Sequence, residues 1–319
     1  MCIGRAAQER PRNGRRARML GMATAALVAL GLGGCGNGVG GSTAGVVKAI
    51  GAENEYANVM AQIGGTHVHV SSILNNPNTD PHTFESSPSV AREVSAAELI
   101  VQNGLGYDDF MSKIESATSG SSRHVIVVQH LLKLPDSTPN PHLWYDPATM
   151  PVVAQAIATE LSNLQPRNAA YFEANLRTFD ASLTPWFDAI AAFKAKYNGT
   201  PVATTEPVAD YLLQAMGVAN LTPFSFQADI MNGTDPTPQD ISLENSFFSK
   251  HQVKVFCYNQ QVVDALTTSI RQNAQNHGVA VVGVYETMPV PGYNYQSWML
   301  AETEAIQKAV KSSVSTEHL

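Results

Sequence analysis

The chain has 319 residues, 44% of them hydrophobic and 15% charged. That balance suits a folded protein of about two ordinary domains and excludes a disordered or fibrous one. The formal net charge of −7 argues against nucleic acid or an anionic membrane surface as a partner, and suits a cationic ligand.

In chain order, the first feature is a basic stretch with Arg10, Arg12, Arg15, Arg16 and Arg18, followed by the apolar run MLGMATAALVALGL over 19–32. The run is short of the roughly 20 residues a membrane span needs. Basic then short apolar reads as a secretory signal peptide over 1–34. It ends Leu32-Gly33-Gly34-Cys35, which resembles a bacterial lipobox. Cys35 is then the expected lipidation site, holding the mature chain to the outer face of the cell membrane through its acyl chains. The plainer alternative is a small-residue cleavage site with an incidental cysteine. Residues 35–44, rich in glycine, read as a flexible tether.

Removal of 1–34 takes away six arginines and Glu9, leaving 14 basic and 26 acidic residues and a net charge of −12. Cys2 lies in the signal, so Cys257 stands alone in an apolar run. No disulfide framework is expected. Cys257 reads as a small buried strand residue.

Short β-branched runs at 46–47, 67–73, 99–101 and 125–128 alternate with helix-like stretches at 53–63 and 89–97. The same alternation returns later, with strands at 201–205, 253–258 and 279–285 and helices at 207–216, 262–276 and 296–311. Strands alternating with helices imply mainly parallel sheets, hence an α/β fold of two lobes. Between the lobes, Phe172, Leu176, Phe179, Leu183, Trp186, Phe187, Ile190, Phe193 and Tyr197 recur at three- and four-residue spacing. That is one face of a long helix, about 45 Å for about 30 residues, with Pro185 a local kink. The expected organisation is a lobe over 45–165, a rigid connecting helix over 166–198 and a second lobe over 199–319.

Four side chains stand out. Asp80-Pro81-His82 and Asn140-Pro141-His142 are nearly one phrase repeated, each in a loop after a strand. Glu206 and Glu286 each follow an apolar run. Open α/β sheets bind ligands beyond the carboxyl ends of their strands, so all four can meet in the cleft, two from each lobe. Two carboxylates in one closed site repel each other, and a cation removes that repulsion. Imidazole plus carboxylate suits Mn²⁺, Fe²⁺ or Zn²⁺.

The surrounding residues carry a family resemblance over roughly 46–312. Asp80-Pro81-His82-Thr83-Phe84-Glu85 resembles the first metal-ligand motif of the zinc/manganese solute-binding proteins of ABC transporters, and Asn103-Gly104-Leu105-Gly106-Tyr107-Asp108 the loop that follows it. Asn140-Pro141-His142-Leu143-Trp144-Tyr145-Asp146-Pro147 resembles the second motif, Thr205-Glu206-Pro207-Val208-Ala209-Asp210 the third, and Glu286-Thr287 with Tyr295-Gln296-Ser297-Trp298-Met299 the fourth. The resemblance implies two α/β lobes joined by a long helix, with His82, His142, Glu206 and Glu286 as metal ligands. It also implies capture of Mn²⁺ or Zn²⁺ as transported ligand and delivery to the permease and ATPase of an importer, by a monomer that is not an enzyme.

Two departures bear on the metal. The fourth ligand is usually aspartate in the family, and here it is Glu286. Zinc-devoted members often carry a third histidine and a histidine-rich loop, whereas here Glu206 takes that place and 116–138 holds only His124 and His130. Two hard oxygen ligands lean toward manganese, although zinc stands higher in the affinity series. The rival readings are an adhesin-like surface lipoprotein and a metallohydrolase, which would need an open coordination position beside a general base. His67 and His69 read as an exposed strand face, and Tyr107, Trp144 and Trp298 as packing around the cleft.

Overall fold

The computed structural model describes residues 45–78, 81–118 and 123–319. The expected signal peptide, the tether and Cys35 lie outside them. Among the described residues, no helix is long and apolar enough to cross a membrane.

The first lobe runs β1 (Val47–Glu53), α1 (Asn54–Gly64), β2 (Val68–Leu74), α2 (Pro88–Ala96), β3 (Leu99–Gln102), α3 (Asp109–Ala117), β4 (His124–Val127) and α4 (Val128–Leu131). Three helices follow: α5 (Thr149–Leu164), α6 (Ala169–Ser182) and α7 (Thr184–Tyr197). The second lobe runs β5 (Pro201–Thr204), α8 (Asp210–Ala215), β6 (Ala219–Asn220), α9 (Phe224–Met231) and α10 (Pro238–Ser249). It continues through β7 (Val255–Asn259), α11 (Ala265–Asn276), β8 (Ala280–Val284) and α12 (Tyr295–Ser312).

Each lobe holds one four-stranded sheet, in the orders β2-β1-β3-β4 and β6-β5-β7-β8. Every pairing is parallel. The second sheet therefore repeats the topology of the first, and all eight strands aim their carboxyl ends one way within their sheet. Strands β3, β7 and β8 are buried along their whole length. Helices cover both faces of such strands, which is why they read as unbroken apolar runs. Cys257 is buried and free in β7, as expected.

Helix starts follow local chemistry. The Ser87 side chain accepts from the Val90 amide, and Pro88 opens α2 where no intrahelical donor is needed. Asp264 and Thr267 form a capping box on α11, and Asn294 and Ser297 another on α12. Helix α5 buries Val153, Ile157 and Leu161 at four-residue spacing. Each such side chain contributes roughly 1.5–3 kcal/mol by burial, and Ile157→Ala would cost roughly 2–5 kcal/mol.

The connecting helix expected over 166–198, with its local kink at Pro185, is a 3-10 turn, Pro166–Asn168, followed by α6 and α7, which are separated by Leu183 alone, itself in the helical region at φ −78° and ψ −16°. Proline explains the break. Pro185 has no N–H to return to the preceding turn, and it stands in the first turn of α7, where none is required. The predicted apolar face survives: Phe172, Leu176, Phe179, Leu183, Trp186, Ile190 and Phe193 all join one core. Within it, Trp186 donates Nε1–H to Thr303 Oγ1 at 3.0 Å, tying α7 to α12.

A polar stripe on α1 binds the same end of the second lobe. Asn54 donates Nδ2–H to the Met288 carbonyl at 2.9 Å and accepts the Met288 amide at 3.0 Å. Asn58 accepts the Tyr295 amide at 3.0 Å. Gln62 and Gln296 exchange reciprocal amide hydrogen bonds of 2.9 and 2.7 Å. These three residues are four apart, so they share one helix face.

Candidate metal centre

His82 lies in the 3-10 turn Pro81–Thr83, in the connection after β2. His142 immediately precedes a second such turn, Leu143–Tyr145. Each follows a proline, whose ring fixes the backbone ahead of the ligating residue. Glu206 stands two residues past β5 and Glu286 two past β8. His82 and the two glutamates thus follow strand ends, where an open α/β sheet presents its ligand groups, and His142 lies in the connection after β4 and α4.

Three of them converge. His82 Nε2 lies 3.1 Å and His142 Nε2 3.3 Å from Glu286 Oε2, and one donor atom from each of the three lies within 4.8 Å of the others. Among the described residues, this is the one group of three or more His, Cys, Asp or Glu side chains close enough to share an ion. The imidazole centroids are 6.4 Å apart and the rings nearly perpendicular. Glu206 is buried beside this group but is not part of it. It joins Glu286 through Asn259, whose Nδ2 donates to Glu206 Oε1 at 3.1 Å and to Glu286 Oε1 at 2.7 Å.

The hydrogen bonds fix the state of His142. Asn140 donates Nδ2–H to the Pro207 carbonyl, so its Oδ1 faces the histidine. That oxygen accepts the His142 backbone amide at 3.0 Å and lies 2.7 Å from Nδ1. An amide oxygen only accepts, so Nδ1 carries the proton. In the neutral ring Nε2 is then a lone pair, and it faces a carboxylate oxygen. Two electron pairs in contact need a positive charge between them, either a proton or a metal ion. Burial holds the His142 pKa below its ordinary value, although Glu286 pulls it up. Burial alone would raise the Glu286 carboxyl, but hydrogen bonds and charge from His142 and His82 prevail and hold it below the usual carboxylate range. The pocket therefore offers an anionic carboxylate with two imidazole nitrogens turned onto one of its oxygens, a donor set suited to a borderline divalent cation.

Other side chains complete the support. Tyr107 donates its hydroxyl to Glu286 Oε2 at 3.1 Å. Gln261 Oε1 accepts the amides of Glu286 at 2.6 Å and Thr287 at 2.8 Å, fixing the loop that carries the carboxylate. Asn103 donates Nδ2–H to the Pro141 carbonyl at 2.8 Å, anchoring the His142 loop. Trp144 packs its ring 5.5 Å from His142 and 5.0 Å from Tyr107, as the sequence reading expected. Tyr107 does more than pack, since it bonds the carboxylate. Trp298 stands further back, against Tyr145 at 5.7 Å.

Sequence reasoning missed Asn259 and Gln261. An asparagine closing an apolar run looks like a turn residue, and nothing local marks it as reaching two glutamates. His67 also differs from expectation. It ends a 3-10 turn, Gly65–His67, and packs edge-on against Tyr171 at 4.8 Å rather than lining a strand face.

The profile of the ZnuA family, described as zinc-uptake complex component A, periplasmic, matches residues 52–309. The chain belongs to this family. ZnuA-family members are substrate-binding proteins of metal ABC importers, not enzymes. A relative from Streptococcus pneumoniae, the manganese ABC transporter substrate-binding lipoprotein PsaA, is 25% identical over 225 residues, covering 65% of this chain and 70% of its own. The fold resembles the periplasmic zinc-binding protein TroA of Treponema pallidum at a TM-score of 0.71 and 18% identity, covering 85% of this chain and all of that one. A crystal structure of ZnuA aligns at a TM-score of 0.67 and 21% identity, over 83% of this chain and all of its own. These likenesses carry the two-lobed fold.

Proposed function

We propose that this ZnuA-family chain captures a divalent transition-metal ion, Mn²⁺ or Zn²⁺, between its lobes and presents it to the permease and ATPase of an ABC importer. His82, His142 and Glu286 hold the ion, with Glu206 as the fourth ligand. The lobes are 45–165 and 199–319, with 166–198 between them. The observation that carries this reading is the convergence of His82 Nε2 and the buried His142 Nε2 on one oxygen, Glu286 Oε2, at 3.1 and 3.3 Å.

The lipid anchor in this proposal is supported by the sequence and by the lipoprotein relatives. Cys35 is acylated and anchors the mature chain at the outer face of the cytoplasmic membrane, and the chain acts as a monomer. Metal is the cargo here, and the protein contributes binding geometry rather than chemistry on it.

Calorimetric titration of metal-stripped protein tests the site. Wild type takes up one Zn²⁺ or Mn²⁺ in the cleft, and His142→Ala and Glu286→Ala each lose that binding while keeping the circular dichroism of the fold. Undiminished affinity in both variants would refute the assignment. In cells, deletion should create a growth defect relieved by excess metal, an outcome that an adhesin-like role would not produce.

A further inference from the structure

We infer that Asn259 sets the metal preference of this site, toward zinc and against manganese, by leaving each glutamate one ligand oxygen. The inference rests on the metal-capture reading above.

Asn259 is the last residue of β7 and is fully buried. Its backbone N–H donates to Thr205 Oγ1 at 3.0 Å, which fixes the strand end beside Glu206. Its Oδ1 accepts the Gln261 amide at 3.0 Å. The two faces of an amide are hard to distinguish by shape, but an N–H at Oδ1 decides the orientation. Nδ2 must then face the carboxylates, and its two hydrogens go one to Glu206 Oε1 and one to Glu286 Oε1.

That arrangement limits denticity. A carboxylate chelates a metal only when both oxygens turn toward the ion. Glu286 turns Oε2 toward the two imidazoles, where Tyr107 also donates to it at 3.1 Å, while its Oε1 is engaged by Asn259 at the shorter distance of 2.7 Å. Glu206 Oε1 is held by the same nitrogen. Two imidazoles and two one-oxygen carboxylates make at most four protein donors. Four donors of mixed nitrogen and oxygen complete a tetrahedral zinc site. Manganese prefers an octahedral, oxygen-rich shell and stands at the weak end of the affinity series. It gains most where carboxylates supply further oxygens. Counting carboxylate residues leans toward manganese, whereas counting the oxygens they can turn toward the ion reverses that lean.

The test is X-ray absorption of the full chain loaded with Zn²⁺, paired with zinc-against-manganese competition on wild type, Asn259→Ala and Asn259→Ser. Four light donors around zinc in wild type are expected, and five or six would overturn the inference. In the variants, freed carboxylates chelate, so the zinc-to-manganese affinity ratio falls tenfold or more. A smaller change in a folded variant overturns the proposal. If both variants fail to fold, the wild-type coordination number decides alone. Wild-type protein that binds neither ion in the cleft refutes metal capture itself, a result distinct from a wrong preference.

Discussion

The side chain of Asn140 lies 2.7 Å from the Nδ1 atom of His142 while its other end donates to the carbonyl of Pro207. One amide thus orients a first-lobe ligand against the second-lobe segment that carries Glu206. Outer hydrogen bonds of this type are worth about 10- to 100-fold in metal affinity. Asn140→Ala should weaken zinc binding by that margin. Asn140→Asp should lose less, since a carboxylate still accepts from Nδ1 although the bond to the Pro207 carbonyl is gone. Competition with a chromophoric chelator measures both.

Asn54→Ala removes two buried hydrogen bonds and strands the backbone amide and carbonyl of Met288. Each orphaned group costs about 1–3 kcal/mol. The variant should unfold at markedly lower urea than wild type. Its metal affinity should fall far less than that of His142→Ala, because no ligand is lost. Equal losses of affinity would mean that the α1 stripe governs the site directly.

Glu302 predicts the pH response of the metal-free chain. Its Oε1 accepts from Trp298 Nε1 at 3.1 Å and Tyr145 Oη at 3.3 Å, and burial pushes its pKa from an ordinary 4.5 to about 8. The folded state therefore binds this proton more tightly than the unfolded one. The stabilisation is fully present below about 4.5 and is lost as pH rises through about 8. Glu302→Gln mimics the protonated form. Near pH 5 the variant and wild type should differ little, and near pH 9 the variant should be the more stable, by on the order of 1–4 kcal/mol. Urea denaturation at the two values checks the sign. Glu244, also raised to about 8 by burial, acts in the same direction.

Metal should stabilise the fold by simple linkage. An ion at 100 times its dissociation constant adds about 2.7 kcal/mol. The melting temperature should therefore rise on zinc addition and fall back with chelator. Glu286→Ala should abolish the shift. A persistent shift in that variant would place the ion elsewhere.

The sequence made some layers readable and hid others, for physical reasons. Strands such as Val255–Asn259 were legible because parallel strands buried on both faces are continuous apolar runs. Strand β1 was recognised only at its start, because it goes on through Gly51 to Glu53, and a buried acid does not look like core. Glu53 and Glu55 are both fully buried and pushed up by that burial, which no local pattern announces. The connecting periodicity was legible together with its local interruption, since Pro185 breaks the hydrogen-bond ladder without changing the face. His82, His142 and Glu286 were legible from repeated phrases and strand ends. Asn259, Gln261 and the reach of Tyr107 were not, because each acts across the three-dimensional gap between loops distant in sequence.

The ladder of Asn54, Asn58 and Gln62 has a kinetic consequence. It bolts α1 to the 288–296 segment along one edge, so the two lobes cannot swing apart there without breaking several hydrogen bonds at once. Of the three converging ligands, His142 and Glu286 are sealed, while His82 keeps a quarter of its side chain in solvent. Ion exchange should therefore run at the tempo of one histidine's small excursions, not of a whole lobe turning on a hinge. The protein would behave less like a clamshell than like a vault with a single keyed door.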